Sequence, residues 1–121
     1  MIYKTTNKQF VQFKKECNRW IKFWGLTEWS VVFFHEKIND DCYADCIWNV
    51  EGRVASIRLN KEIDGMVLFD PKKTAFHEVC ELLLCELDGL ARDRFISKSH
   101  ISIAFHAVIR RLENCVYEKS K

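Results

Sequence analysis

The spacing of the apolar residues changes twice along the chain, and these changes limit the possible folds. In residues 6–24 apolar side chains recur every three or four positions, as on one face of an amphipathic helix: Phe10, Phe13, Cys17, Trp20 and Trp24. Gly25 predicts the end of this helix. Three runs rich in β-branched and aromatic residues then predict strands at Trp29 to Glu36, Cys42 to Val50 and Arg53 to Asn60.

The second half of the chain returns to helical spacing after a loose connection at residues 61–70. Asp70 and Pro71 favour the cap and the first turn of a helix, which we expect to run to about Leu87 and to stop near Gly89. A final helix follows with an apolar stripe of Ile101, Phe105, Val108, Leu112 and Cys115. This order predicts an α+β fold: an N-terminal helix, a small three-stranded, mainly antiparallel sheet that ends in a hairpin, and two C-terminal helices.

Size and composition restrict the class of protein. A chain of 121 residues with 48% hydrophobic residues can bury one core, so residues 1–121 are expected to form a single domain. The net charge of +2 provides no broad positive field for nucleic acid, and no apolar run is long enough for a membrane span. Six cysteines without a signal peptide are expected to be reduced thiols, which favours the cytoplasm.

Two residues of the second predicted helix have the spacing of metal ligands. His77 and Glu81 are four residues apart, so one turn of helix brings both side chains to the same face, where they can reach one cation. A third ligand is needed from another element, and His106 on the last helix is the candidate, with His100 as a weaker one. Two imidazoles and a carboxylate leave one position for water and suit zinc, although such ligands also hold other divalent metals, including ferrous iron.

Glu78 follows a predicted ligand directly and is the candidate general base. Its carboxylate would accept a proton while water, activated by the metal, attacks a carbonyl group. Simpler interpretations remain open at each position. His77 and Glu81 also fit an exposed helical pair, and His106 also fits a hydrogen-bonded core histidine beside Phe105.

The sequence His77-Glu78-x-x-Glu81 on a helix after a small sheet resembles the H-E-x-x-H helix of minimal gluzincin-type metallopeptidases. Together with His-Ala-Val-Ile-Arg-Arg-Leu-Glu-Asn from residue 106, it is similar to small zincin-like peptidases that bacteriophages encode. Compared with the gluzincin pattern, Glu81 takes the place of the second histidine and His106 that of the later glutamate. The resemblance implies a zincin-like domain, a host cytoplasm, and an extended peptide bound at a sheet edge, for which Arg53 to Asn60 is the candidate.

These observations predict a zinc-dependent peptidase or peptidase-like hydrolase with metal ligands His77, Glu81 and His106 and the base Glu78. The alternative is a non-catalytic protein-binding module on a zincin-like scaffold, with or without a structural metal. A peptide or protein is the expected substrate or partner in either case. The sequence leaves the oligomeric state open.

Overall fold

Three helices and two small sheets make up residues 2–65 and 68–120, the part of the chain that this computed structural model describes. The helices are α1 (Asn7–Phe23), α2 (Pro71–Arg92) and α3 (Lys98–Leu112), and α3 continues into a π-helical turn at Glu113–Tyr117 and a 3-10 turn at Glu118–Ser120. The strands are β1 (Ile2–Lys4), β2 (Ser30–Glu36), β3 (Ala44–Asn49), β4 (Val54–Asn60) and β5 (Glu62–Asp64). The predicted α+β class and its order of helix, three strands and two helices are confirmed.

The central strand of the larger sheet is β4, which has β2 on one side and β3 on the other. β3 and β4 are antiparallel, as the predicted hairpin requires, whereas β2 runs parallel to β4. β1 and β5 form a separate antiparallel pair, and β5 lies in the stretch that was predicted to be a loose connection. Two of the three strand pairings are therefore antiparallel.

The prediction that Arg53 to Asn60 offers a free sheet edge is wrong. β4 is hydrogen-bonded along both of its sides, so its backbone groups are already paired within the sheet. The edges of the three-stranded sheet are β2 and β3, and β3 is the edge that packs against α2. Of the three strands in the larger sheet, β4 is the nearest to α2 in the sequence, but β3 is the strand that packs against α2. The reason is that β4 lies between β2 and β3 in the sheet.

Local sequence signals account for the helix ends. Thr6 and Gln9 form a capping box at the start of α1, and Gly25 adopts a φ of 67° just after its end. The Asp70 side chain accepts hydrogen bonds from the first backbone amides of α2, as predicted. α2 does not stop near Gly89 but continues to Arg92, because one glycine costs a helix only about 1 kcal/mol.

The core lies between the inner face of the larger sheet and the helices α1 and α2. Its buried members include Phe13 and Cys17 of α1, Ile57 and Leu59 of β4, and Val79 of α2. α3 adds only Ala104 as a fully buried side chain, and the stripe predicted to face the core is partly exposed. None of the described helices has the combination of length and apolar composition that crossing a membrane requires.

One buried polar side chain organises the loop between β2 and β3. Asn60, at the end of β4, has no exposed surface, and its amide nitrogen donates to the carbonyl oxygens of Ile38, Asp40 and Cys42. Its Oδ1 accepts from the backbone amide of Ile38 at 2.9 Å. The loop that leads into β3 is therefore fixed from inside the core.

We expect Asn60→Ala to lower the free energy of unfolding by about 2–4 kcal/mol, because it leaves several buried backbone groups without partners. Asn49→Ala is the matched control: Asn49 accepts one hydrogen bond, from the Gly52 amide in an exposed turn, and its loss should cost less than about 1 kcal/mol. Urea denaturation followed by circular dichroism measures both. Equal losses would show that the Asn60 network does not stabilise the loop.

Candidate metal centre

The rotation of α2 about its axis places three functional side chains at different depths. The buried face of the helix consists of Thr74, Ala75, Glu78, Val79, Leu82 and Cys85. Glu78 lies within this face and is only 3% exposed. His77 precedes Glu78 by one residue and Glu81 follows it by three, so both side chains lie at the margin of the buried face. The His77 side chain is 71% exposed.

The three side chains converge although their depths differ. One donor atom from each of His77, Glu78 and Glu81 lies within 4.8 Å of the other two, and this is the group of potential metal ligands found among the described residues. Nε2 of His77 is 3.3 Å from Oε2 of Glu81, so the predicted pairing of these two residues across one helical turn is present. The imidazole and the two carboxylates are a nitrogen and oxygen ligand set that fits zinc and other divalent cations.

Glu78 is in an electrostatically unfavourable position for an ionised carboxylate. Burial, the negative charge of Glu81, a hydrogen bond with Glu81 and the charge of Asp45 together raise its pKa to about 9. Among the described residues, Oε1 of Glu78 is buried and has no hydrogen-bond partner. An orphaned buried oxygen costs about 1–3 kcal/mol, and a cation or a hydrogen-bond donor at this position would remove that cost.

The predicted third ligand, His106, lies apart from this group. α3 approaches α2 through Ala104 and Val108, and His106 is two residues beyond Ala104, about 200° further around the helix. Its Nδ1 is 2.8 Å from the carbonyl oxygen of Ser102 on the exposed side of α3. His100 is also exposed, with Nδ1 2.8 Å from Oγ of Ser97. Neither histidine supplies a ligand to the cluster on α2.

A groove of about 610 Å³ opens beside His77 and Glu78. One wall is α2 and the other is the chain that enters β3, and Tyr43 and Phe76 provide aromatic surface on either side. Neither Tyr43 nor Phe76 was predicted to belong to the site, and both side chains are partly exposed at the groove. The arrangement places His77 and Glu78 in the wall of a cleft large enough for a side chain or a short peptide.

The thiol near the site has the properties of an inert cysteine. Cys80 lines the groove one turn after His77, and burial raises its pKa above the usual value. A protonated thiol is a poor nucleophile, so the site gives no support to a cysteine-based hydrolase. All six cysteines are free: Cys17, Cys42, Cys46, Cys80, Cys85 and Cys115.

Comparison with known protein families, with curated proteins and with solved structures gives no significant match to this chain. The resemblance to gluzincin-type peptidases therefore stays a prediction carried by the motif on α2. The evidence for a metal site is the geometry of His77, Glu78 and Glu81.

The buried carboxyl group of Glu78 should make the stability of the metal-free protein depend on pH. Its pKa of about 9 in the folded state lies above the usual 4.5, so the folded protein binds the extra proton between these values. The free energy of unfolding should therefore fall as pH rises from 5.5 to 8.5, by up to roughly 1.4 kcal/mol per pH unit. Urea denaturation in the presence of a chelator, at several pH values, measures this slope.

Glu78→Gln provides the comparison, since the amide does not titrate and the remaining ionisable groups are shared with the unmutated protein. We expect the free energy of unfolding of the variant to fall less steeply with pH, because the contribution of the Glu78 carboxyl group is removed. Parallel pH profiles for the two proteins would mean that Glu78 ionises normally in the folded state.

Proposed function

We propose that this chain is a divalent-metal-dependent hydrolase, with zinc as its preferred metal and the cluster on α2 as its site. The observation that carries the proposal is the buried Oε1 of Glu78, which has no hydrogen-bond partner among the described residues. One potential ligand atom from each of His77, Glu78 and Glu81 lies within 4.8 Å of the other two. A cation in this position would offset the repulsion between two neighbouring carboxylates. It would also give the orphaned oxygen a favourable electrostatic environment.

The different depths of the side chains support different roles. His77 lines the groove, and Glu81 lies one helical turn further along α2 with its side chain 41% exposed, so the two can hold a cation that is accessible from the groove. Glu78 approaches from the buried side, which is suitable for a group that transfers protons and must be shielded from bulk water. A zinc ion held there would lower the pKa of a bound water to about 7 and would polarise the carbonyl group of a substrate.

Glu78 is the group we assign to proton transfer. With a cation held beside it, the carboxyl group of Glu78 would favour its ionised form, and its pKa would fall below the value of about 9 that burial and Glu81 produce. The carboxylate can then accept a proton from the attacking water as the new carbon–oxygen bond forms. It returns that proton to the leaving nitrogen as the carbon–nitrogen bond breaks, so one side chain serves as base and then as acid.

The groove supports a peptide as the class of substrate. β3 is an edge strand of the sheet and packs against α2, and the groove includes Tyr43 and Ala44 at the start of this strand. An extended peptide can add to such an edge through backbone hydrogen bonds, while a side chain occupies the space between Tyr43 and Phe76. This assignment replaces the predicted edge at β4 with β3.

The second candidate function is a protein-binding module without catalysis, and one observation favours it. The three donor groups come from little more than one turn of α2, and no described residue of another element joins them. A site with so few anchoring elements holds its ligands less rigidly than one built from several elements, which limits catalysis more than it limits binding.

The free thiols support a reducing compartment for either function. Disulfides are rare in the cytoplasm, and burial raises the pKa of Cys85 to about 11, which keeps its thiol protonated. We therefore propose a cytoplasmic location.

We expect chelator-treated protein to bind one equivalent of Zn²⁺ and His77→Ala to weaken that binding by at least roughly 100-fold, because a primary ligand is lost. His106→Ala is the matched control and should bind as the unmutated protein does, since His106 lies apart from the cluster. Isothermal titration calorimetry measures all three proteins. Failure of the unmutated protein to bind zinc stoichiometrically would rule out the metal site.

Glu78→Gln separates the two candidate functions. A hydrolase should keep its zinc and lose turnover of a peptide library by about 10²–10⁴-fold, because the amide cannot accept the proton. If the variant loses zinc together with turnover, Glu78 is a ligand and not the base. If zinc-loaded unmutated protein cleaves no peptide but still binds peptides, the non-catalytic module is supported.

A further inference from the structure

α3 has an apolar face that the rest of the described chain leaves uncovered. Ile101, Phe105, Ile109 and Leu112 are separated by four, four and three residues, and at 100° per residue they lie within an arc of about 80°. Phe105 in the middle of this stripe is 53% exposed. The stripe continues into an open groove of about 580 Å³ that Ile109, Leu112, Val116 and Tyr117 share.

This exposed stripe is separate from the contact that holds α3 in the fold. Small or polar-tipped side chains, among them Ala104, Ala107, Val108 and Arg111, line the narrow cleft between α3 and α2. Arg111 donates hydrogen bonds to the carbonyl oxygens of Trp24 and Gly25, which fixes the rotation of the helix. The larger apolar side chains are therefore turned away from the domain, in a continuous row of the kind that marks an interaction surface.

The size of the stripe is suited to the centre of an interface between two copies of the chain. The side chains that are each about half exposed present on the order of 500 Å² of apolar surface: Ile101, Phe105, Leu112, Val116 and Tyr117. A standard interface buries about 800 Å² on each partner, of which the centre is apolar and the rim is polar. The polar side chains that flank the row on α3, including Lys98 and Glu113, would contribute the rim.

We infer that a second copy of this chain covers the stripe, with the two α3 helices packed in antiparallel orientation. Lys98 lies at the beginning of α3, whose first turn has no acidic residue, and Glu113 lies directly after its end. Antiparallel packing brings Lys98 of one copy toward Glu113 of the other, twice in the same interface. A patch that complements itself in this way forms a closed dimer with twofold symmetry.

Sedimentation velocity of the full chain over a range of concentrations tests the dimer. Phe105→Glu places a charge in the middle of the stripe and should raise the dissociation constant of the dimer at least about tenfold. Ile103→Glu is the matched control: Ile103 is 65% exposed on the same helix but lies on the side opposite the stripe, and its replacement should change the constant less than about twofold. Circular dichroism verifies that both variants are folded.

Charge reversal tests the antiparallel orientation. Lys98→Glu alone should weaken the dimer, and adding Glu113→Lys should restore most of its stability, because the opposite charges face each other again. A double variant that is weaker than the single variant would overturn the antiparallel arrangement. A chain that stays monomeric at several hundred micromolar would overturn the dimer, and co-sedimentation of that monomer with anionic phospholipid vesicles would assign the stripe to a membrane surface.

Discussion

α2 packs against α1 and β3 through Ala75, Val79 and Leu82, and the rotation that buries these side chains also buries Glu78. A helix has one rotational setting, so Glu78 is buried together with the apolar residues of the same face and is only 3% exposed. His77 and Glu81 follow from the same setting, because they lie at the margin of the buried face. The hydrophobic effect that holds α2 in the core therefore also arranges the candidate metal centre.

The buried position of Glu78 lowers the stability of the metal-free protein. A buried carboxyl group beside a second carboxylate is protonated in the metal-free protein, and its unpartnered oxygen lowers stability. Replacing it with an apolar residue of similar size would be expected to stabilise the fold, because a buried polar atom without a hydrogen-bond partner is costly. A polar group kept at such a cost in a core face is a functional-site candidate on physical grounds, independent of any resemblance to known families.

Local signals could be predicted from the sequence, but the meeting of distant elements could not. Asp70 and Pro71 marked the start of α2 because a cap and a first-turn proline act on neighbouring backbone groups. The pairing of His77 with Glu81 followed from helical spacing alone. The central position of β4 could not be derived in this way, since the parallel pairing of β2 with β4 depends on contacts between residues more than twenty positions apart.

The depth of Glu78 and the position of His106 illustrate the same limit. An i, i+4 spacing shows which side chains share a face, but it does not show which face is buried when apolar residues occur on several sides of the helix. α2 has Phe76, Cys80 and Leu84 on its outer side as well as an apolar inner side, and only packing against β3 selects between them. The ambiguity is greater for α3, which is apolar around more than half of its circumference.

A single arginine accounts for the setting that α3 adopts. Arg111 donates to the carbonyl oxygens of Trp24 and Gly25 and pairs with Glu28, so it joins α3 to the turn between α1 and β2. A charged group that satisfies exposed carbonyl oxygens at a helix end fixes orientation better than interchangeable apolar contacts do. With Arg111 held there, Ala104 turns inward while His106 and the stripe of Phe105 turn outward. In this setting His106, the predicted third ligand, lies apart from the cluster on α2, and the face through which we propose that two copies associate is exposed.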